Sequence, residues 1–154
     1  MLYKKYNKKK NYNIWYFNFI NYKSLILINS LKRNNQKVIV TFQGIDIQKN
    51  KKIRYGYRFN SKYDEFLKKT LKNIDIFFAI SKNIKKDLIS LNVKKSKIFD
   101  IPNAVNIEKF RKFSKKKSNT LNLITVARYA KKKKGYDIVP KVAKILLKNK
   151  INFK

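Results

Sequence analysis

The feature that most constrains the fold of this chain is a regular alternation of short apolar runs with segments of helical periodicity. Apolar or β-branched runs typical of buried strands occur at 14–20, 37–42, 74–80 and 97–101. Helices that bury one face are predicted over about 21–34, over 63–72 and after Ser81. Strands that alternate with helices predict an α/β fold with a mainly parallel sheet and helices on both faces.

The clearest local signals follow the third and fourth predicted strands. Ser81 stands where a helix N-cap belongs, because its hydroxyl can accept a hydrogen bond from a backbone N–H two or three residues later. Pro102 and Asn103 end the fourth strand, since proline fixes φ and asparagine stabilises a turn. Open α/β sheets bind their ligands at loops of this kind, beyond the carboxyl ends of the strands. The same loop is also explained as a simple connection between two domains.

A polar, lysine-rich stretch separates these elements from a second strand–helix pair. Residues 121–126 predict a strand, and residues 143–147 lie within a predicted helix. We therefore predict a partial N-terminal domain at 1–112, a linker at 113–120 and the start of a C-terminal domain at 121–154.

A very large positive charge is the second constraint. The formal net charge is +32 in 154 residues, from 40 Lys and Arg against 8 Asp and Glu. One interpretation is phosphate binding with counterion release, as in nucleic-acid-binding proteins. Two observations weaken this interpretation. Only five of the basic residues are arginine, the residue that makes bidentate contacts to phosphates and bases. The lysines are also spread over nearly every segment. The other interpretation is codon bias in an A/T-rich genome, and under either one the field draws the protein toward anionic surfaces, including membrane lipid.

Missing residue types exclude several kinds of site. The chain has no cysteine, which excludes disulfides and thiolate chemistry, and no histidine, the commonest general base and metal ligand. With so few carboxylates, no metal site is expected. No apolar run is long enough to span a bilayer, and no secretory signal is recognised at residues 1–13. We therefore expect a cytoplasmic protein, or one that lies peripherally on the inner face of the membrane.

Four segments follow one another in a specific order: VIVTFQGIDI, IDIFFAISKNIKKDL, SKIFDIPNAVNIEKF and LITVARYAKKKKGYDIVPKVAKIL. This series, over roughly 37–149, resembles the middle of a GT-B glycosyltransferase of family 4, also called group 1. The resemblance implies two Rossmann-like domains, with a nucleotide-sugar donor and a saccharide or lipid acceptor in the cleft between them. It thus implies a hexosyltransferase-type enzyme of polysaccharide biosynthesis that needs no cofactor and no metal besides its nucleotide-sugar substrate.

The resemblance assigns the donor diphosphate to Arg128 and Lys134. The family's glycine-arginine-leucine strand end appears here as Ala127, Arg128 and Tyr129, and its lysine-glycine pair as Lys134 and Gly135. Two cations placed there stabilise the charge that develops on the β-phosphate as the nucleoside diphosphate leaves. The alternative is that the run of lysines ending at Lys134 is a solvated basic turn.

On the acceptor side, the resemblance points to Gln43, Gly44, Asp46 and Asn103. Gln43 and Gly44 stand where many members of the family have histidine and glycine near the acceptor. Gln43 can hydrogen-bond a sugar hydroxyl but cannot move a proton at neutral pH, and its alternative is an ordinary polar strand end. Gly44 permits a sharp turn. Asp46 is the nearby carboxylate that could act as a base in place of histidine, so the catalytic residue itself stays unassigned.

Several departures from the family pattern bear on activity. Ala104 replaces a glycine, which matters if that position needs a positive φ, and Asn106 replaces an aspartate. The family's glycine-rich nucleotide loop and paired glutamates are not recognised. We therefore expect a truncated fragment that is marginally stable and has no turnover alone. The alternatives are a basic nucleic-acid-binding module, which no recognisable motif supports, and a non-catalytic protein that binds anionic membrane surfaces.

Overall fold

A computed structural model of the chain describes residues 12–110, 120–128 and 131–154. Its contacts divide the chain into two compact units, the first ending at Ala104 and the second running from Val105 to Lys154. Apart from Thr120, the linker predicted at 113–120 lies outside the described residues, so the domain boundary at 112 stays a prediction.

The first unit is a four-stranded parallel sheet in which the strands lie in chain order. Its strands and helices are β1 (Ile14–Phe17), α1 (Tyr22–Arg33), β2 (Lys37–Phe42), α2 (Ser61–Leu71), β3 (Ile76–Ala79), α3 (Lys82–Ser90) and β4 (Ile98–Asp100). A helix follows each of the first three strands, as the sequence predicted. The predicted parallel, Rossmann-like α/β fold is therefore confirmed.

Each helix of this unit begins at a capping side chain. Asn21, Asn60 and Ser81 each accept a hydrogen bond from the backbone N–H three residues later. These bonds satisfy donors that the first helical turn otherwise leaves unpaired. The prediction that Ser81 is an N-cap is confirmed.

One face of the sheet carries the core. The parallel register sets Val40 beside Phe77 and Phe77 beside Ile98, so their buried side chains point the same way. Apolar side chains spaced three or four residues apart along each helix cover this face. Leu25 on α1 and Leu67 on α2 are two of them. The largest fully buried side chains are Phe42, Phe77, Ile20, Leu25, Ile28, Leu31, Ile47, Leu67, Ile74 and Leu88.

The prediction of helices on both faces is wrong for the described residues. The buried residues of all three helices join one cluster with the inward-facing residues of β2 and β3, so the three helices lie on the same face. Right-handed connections between parallel strands in chain order give this arrangement. On the alternate face, Ile14 is 62% exposed, Tyr16 56% and Phe99 49%. β1 is therefore a half-exposed edge strand and not the buried strand that its aromatic residues predicted.

Among its described residues, the second unit contains a short 3-10 helix at Ile107–Phe110, a single α-helical turn at Lys131–Lys134 and one longer helix, α4 (Val139–Lys148). The helix confirms the prediction around 143–147. The predicted strand at 121–126 is wrong except at Leu121, which forms an isolated parallel bridge with Phe153. No described residue of this unit is buried, so it lacks a core of its own in the described ranges.

Among the described residues, no helix combines the length and the apolar character that crossing a membrane requires.

Candidate functional site

A polar cleft opens at the edge of the first unit where the strands end. Its volume is about 600 Å³, and its lining comprises Tyr16, Asn18, Thr41, Gln43 and residues 101–104. Tyr16 lies on β1, and Asn18 follows that strand. Thr41 lies on β2 and Gln43 follows it, while residues 101–104 follow β4. This is the edge at which open α/β sheets bind ligands, and the volume is that of a small-molecule site.

A continuous series of hydrogen bonds crosses this cleft. The Tyr16 hydroxyl lies 2.8 Å from that of Thr41 and donates to Asn18 Oδ1 at 3.3 Å. Gln43 Nε2 also donates to Asn18 Oδ1, at 2.9 Å. Asn103 Nδ2 donates to Gln43 Oε1 at 3.3 Å. We call these five residues the cleft chain, and two of them, Gln43 and Asn103, are predicted site residues that the structure brings together.

The chemistry of the cleft chain is neutral hydrogen bonding. None of the residues that line the cleft is charged. In the described part of the protein, the amide nitrogen of Asn18 and the amide oxygen of Asn103 have no hydrogen-bond partner, which leaves an NH2 group to donate and a carbonyl oxygen to accept hydrogen bonds from a ligand. The lining holds no imidazole and no carboxylate, the side chains that most often act as general bases.

Asp46 lies beneath the cleft and is not part of its lining. Its side chain is fully buried. Oδ1 accepts from the backbone N–H of Gln43 at 3.0 Å and of Gly44 at 2.8 Å. Oδ2 accepts from the N–H of Ile20 at 3.4 Å. Asp46 thus ties the loop after β1 to the loop after β2, a set of contacts that we call the Asp46 clamp.

Burial sets the protonation behaviour around the clamp. It raises the pKa of Asp46, and the backbone N–H groups of Gln43, Gly44 and Ile20 offset only part of that rise. The Tyr63 hydroxyl donates to the Asp46 carbonyl oxygen at 2.9 Å. Burial also raises the pKa of this hydroxyl, with a further contribution from the charge of Asp46. The geometry is that of a structural carboxylate, whereas the sequence suggested Asp46 as a base.

Gly44 makes the turn above the clamp. Its φ is +116°, in a region that residues with a Cβ rarely adopt. A Cβ at this position would stand 3.2 Å from Gln48 Oε1. Gly44 is buried and does not line the cleft. Its observed role is to shape the strand end that presents Gln43.

The loop after β4 contains Ala104 and Asn106, its two residues that differ from the family pattern, and both fit the observed backbone. Ile101 N–H donates to the Ala79 carbonyl at 3.0 Å, which holds the start of the loop against β3. Ala104 does not have a positive φ, so alanine fits this position without strain. Asn106 Oδ1 accepts from Glu108 N–H at 3.0 Å and caps the following turn.

The two predicted diphosphate ligands lie in the second unit, and both are exposed. The Tyr136 hydroxyl donates to the carbonyl oxygen of Ala127. Since Ala127 precedes Arg128 and Tyr136 lies two residues after Lys134, this bond ties together the two segments that carry the predicted ligands. Tyr129 lies outside the described residues.

Metal ligands are not clustered in the described ranges, where no three His, Cys, Asp or Glu side chains are grouped as a metal site requires. This finding covers only those residues, and the expectation of a metal-free site stays a prediction.

Comparison with models of known protein families shows which family the chain belongs to. The model of glycosyltransferase family 4 matches residues 3–109, which is more than half of the chain. This chain belongs to glycosyltransferase family 4. The match covers the whole described part of the first unit and ends before Arg128 and Lys134. Searches of the curated proteins and of the solved structures found no significant match.

Three members of the cleft chain were missed by sequence reasoning. Tyr16, Asn18 and Thr41 carry no motif of the family, because the part of the chain before the turn at Gln43 and Gly44 resembles it only in the alternation of strands and helices. One signal was present: Asn18 is a polar residue at the end of an aromatic strand, where α/β sheets place ligand contacts. Tyr16 lies two positions before it, and alternate residues of a strand point to the same face.

Proposed function

We propose that this chain supplies the acceptor-binding part of a glycosyltransferase, which moves a sugar from a nucleotide-sugar donor to a saccharide or lipid acceptor. The observation that supports this most is the cleft chain, a neutral series of donors and acceptors at the carboxyl edge of a family 4 sheet. Sugar hydroxyls both donate and accept hydrogen bonds, and carboxamides match them in both respects.

For the donor, we propose that Arg128 and Lys134 hold the diphosphate. Their exposed positions and the bond between Tyr136 and Ala127, which ties their segments together, support this assignment. A guanidinium offers two parallel N–H donors and an ammonium a point charge, and together they stabilise a leaving nucleoside diphosphate. No metal ion is part of the proposal.

We further propose that the 154-residue chain binds acceptor but does not turn over by itself. The cleft lining holds no imidazole or carboxylate that could act as a base, and the described second unit has no buried core to hold its two cations rigidly. Transfer depends on a preorganised site, since donors must already point at the developing charge.

Acceptor binding is tested by saturation-transfer NMR with a panel of neutral mono- and disaccharides. We expect weak but saturable binding that Gln43→Ala reduces about five- to tenfold, the usual effect of losing one hydrogen bond. Gln36→Ala is the matched control, because Gln36 precedes β2 at the opposite edge of the sheet and pairs with Trp15. Equal effects of the two variants, or no saccharide binding at all, would refute the acceptor assignment.

Turnover is tested in the same samples by adding a panel of nucleotide sugars and following release of nucleoside diphosphate. We expect none above background. Release that depends on both acceptor and Arg128 would contradict the proposal that the chain is inactive alone, while it would support the donor assignment.

A further inference from the structure

A second cavity lies at the opposite edge of the first unit, where the strands begin. It has a volume of about 820 Å³ and lies between the last residues of α2 and α3 and the turn that leads into β4. Helices of a parallel α/β unit run against the strands, so the helix C-termini mark the edge away from the cleft. We call this cavity the basal pocket, and nothing in the proposed transfer reaction uses it.

Four lysines and no carboxylate line the basal pocket: Lys68, Lys72, Lys94 and Lys97. A cation near each helix C-terminus offsets the helix dipole, which explains one lysine per helix. It does not explain four around one cavity, where like charges repel each other. An anion in the pocket would relieve that repulsion.

Two of the four lysines are held in place. Lys97 Nζ donates to the carbonyl oxygen of Ile74 at 3.0 Å. Lys68 Nζ lies 2.9 Å from Asp64 Oδ2, but Asp64 is already paired with Arg58 at 2.5 Å, so that cluster keeps a net positive charge. Side chains fixed in this way lose less entropy when they bind an anion.

The other two lysines are available. In the described part of the chain, Lys72 and Lys94 form no ion pair. Both lysines are exposed, and the buried residues Leu71 and Val93 add apolar surface to the same pocket. Lysine binds phosphate groups as a point charge, and a cavity of this size accommodates more than a single inorganic ion.

We propose that the basal pocket is a binding site for a phosphate-type anion, either a soluble phosphorylated compound or the headgroup of an anionic phospholipid. This site recognises charge, whereas the cleft at the opposite edge is lined by neutral groups. The proposal does not depend on the transferase role of the chain.

The test measures binding of two probes to the full chain at about 0.15 M salt, where the Debye length is about 8 Å and diffuse attraction is screened. One probe is inorganic pyrophosphate, followed by amide chemical shifts at Asn92 and Val93. The other is a set of phosphatidylcholine vesicles with and without phosphatidylglycerol, followed by co-sedimentation. The test variant is Lys72→Gln with Lys94→Gln. The matched control is Lys51→Gln with Lys52→Gln, an exposed pair outside the pocket that removes the same charge.

We expect the pocket variant to weaken binding of at least one probe about tenfold or more, and the control to stay within about twofold. Loss of pyrophosphate binding identifies a soluble phosphate ligand, and loss of vesicle binding alone identifies a lipid headgroup. Equal weakening in the pocket variant and the control would assign all binding to net charge and overturn the proposal. The absence of binding to both probes would overturn it as well.

Discussion

Replacing Asp46 by alanine should be the most damaging single carboxylate substitution in the first unit. The change removes the acceptors of the backbone N–H groups of Ile20, Gln43 and Gly44. A buried donor left unpaired costs about 1–3 kcal/mol. The buried charge of Asp46 is itself destabilising, as its raised pKa indicates. Removing that charge therefore recovers part of the stability lost with the hydrogen bonds. We therefore expect the free energy of unfolding to fall by about 3–5 kcal/mol.

Asp46→Asn separates the contribution of the hydrogen bonds to stability from the contribution of the buried charge. An amide oxygen in the Oδ1 position keeps the bonds from Gln43 and Gly44, which are the shortest at this site. Its NH2 group replaces Oδ2 and faces the N–H of Ile20, so one donor meets another. Because the longest bond is the one lost and no buried charge remains, we expect a loss of about 1–2 kcal/mol.

Urea unfolding followed by far-ultraviolet circular dichroism measures both variants. Asp87→Ala is the control, since burial raises the pKa of Asp87 as well, but its carboxylate bonds the Gln48 side chain and not a series of backbone donors. We expect the control to lose about 1 kcal/mol or less. If Asp46→Ala costs no more than Asp87→Ala, the Asp46 clamp does not stabilise the fold and the reasoning is refuted. If alanine prevents folding, the asparagine variant supplies the comparison.

Two further predictions concern a glycine and the response to acid. Gly56→Ala should destabilise by about 3 kcal/mol or more, because a Cβ would lie 1.7 Å from the Gln48 carbonyl oxygen at a φ of +120°; thermal melting that shows an unchanged midpoint would contradict this. Although burial acts to raise the pKa of Asp64 and Asp75, hydrogen bonds to cationic side chains and, at Asp75, to a backbone N–H outweigh it, so both pKa values lie below the usual 3.8. The stabilisation by these two carboxylates is therefore present above about pH 4 and is lost as the pH falls through their folded-state pKa values. Asp75→Asn should thus flatten the loss of stability below about pH 4 in urea titrations. An acid response identical to that of the wild type would count against this assignment.

Local physics made much of the first unit predictable. Lys37–Phe42 was predicted to the residue as a strand, because a β-branched run ends there at a glycine turn. Asn21 and Asn34 bounded the first helix, and the structure finds them as its N-cap and C-cap. Each of these signals depends on neighbours in sequence, and so it can be recognised without knowledge of the rest of the fold.

Long-range relations were not predictable in the same way. The aromatic composition of β1 indicated a buried strand, but strand order makes it an edge, and order is a property of the whole sheet. The segment at 121–126 has strand propensity, yet in the described ranges only Leu121 and Leu123 form backbone hydrogen bonds to another segment, residues 152–154. A strand needs a neighbour along its whole length to form its hydrogen bonds. The sequence suggested Asp46 as a base because it is a carboxylate. Its structural role depends on the backbone N–H groups that it accepts from, those of the neighbouring turn and of Ile20, which is far away in sequence.

Net charge is a poor guide to the chemistry of the cleft. The chain carries +32, yet the cleft lining is uncharged and the lysine-lined basal pocket lies at the opposite edge of the sheet. A field of this size raises the rate at which any anion meets the protein, but salt screens it over about 8–10 Å. Hydrogen bonds between carboxamides and hydroxyls involve no net charge, so salt leaves them largely unchanged. If the proposals for the two sites hold, attraction of an anionic donor or a membrane belongs to the whole surface and the basal pocket, while selection of an acceptor belongs to the few neutral atoms of Asn18, Gln43 and Asn103.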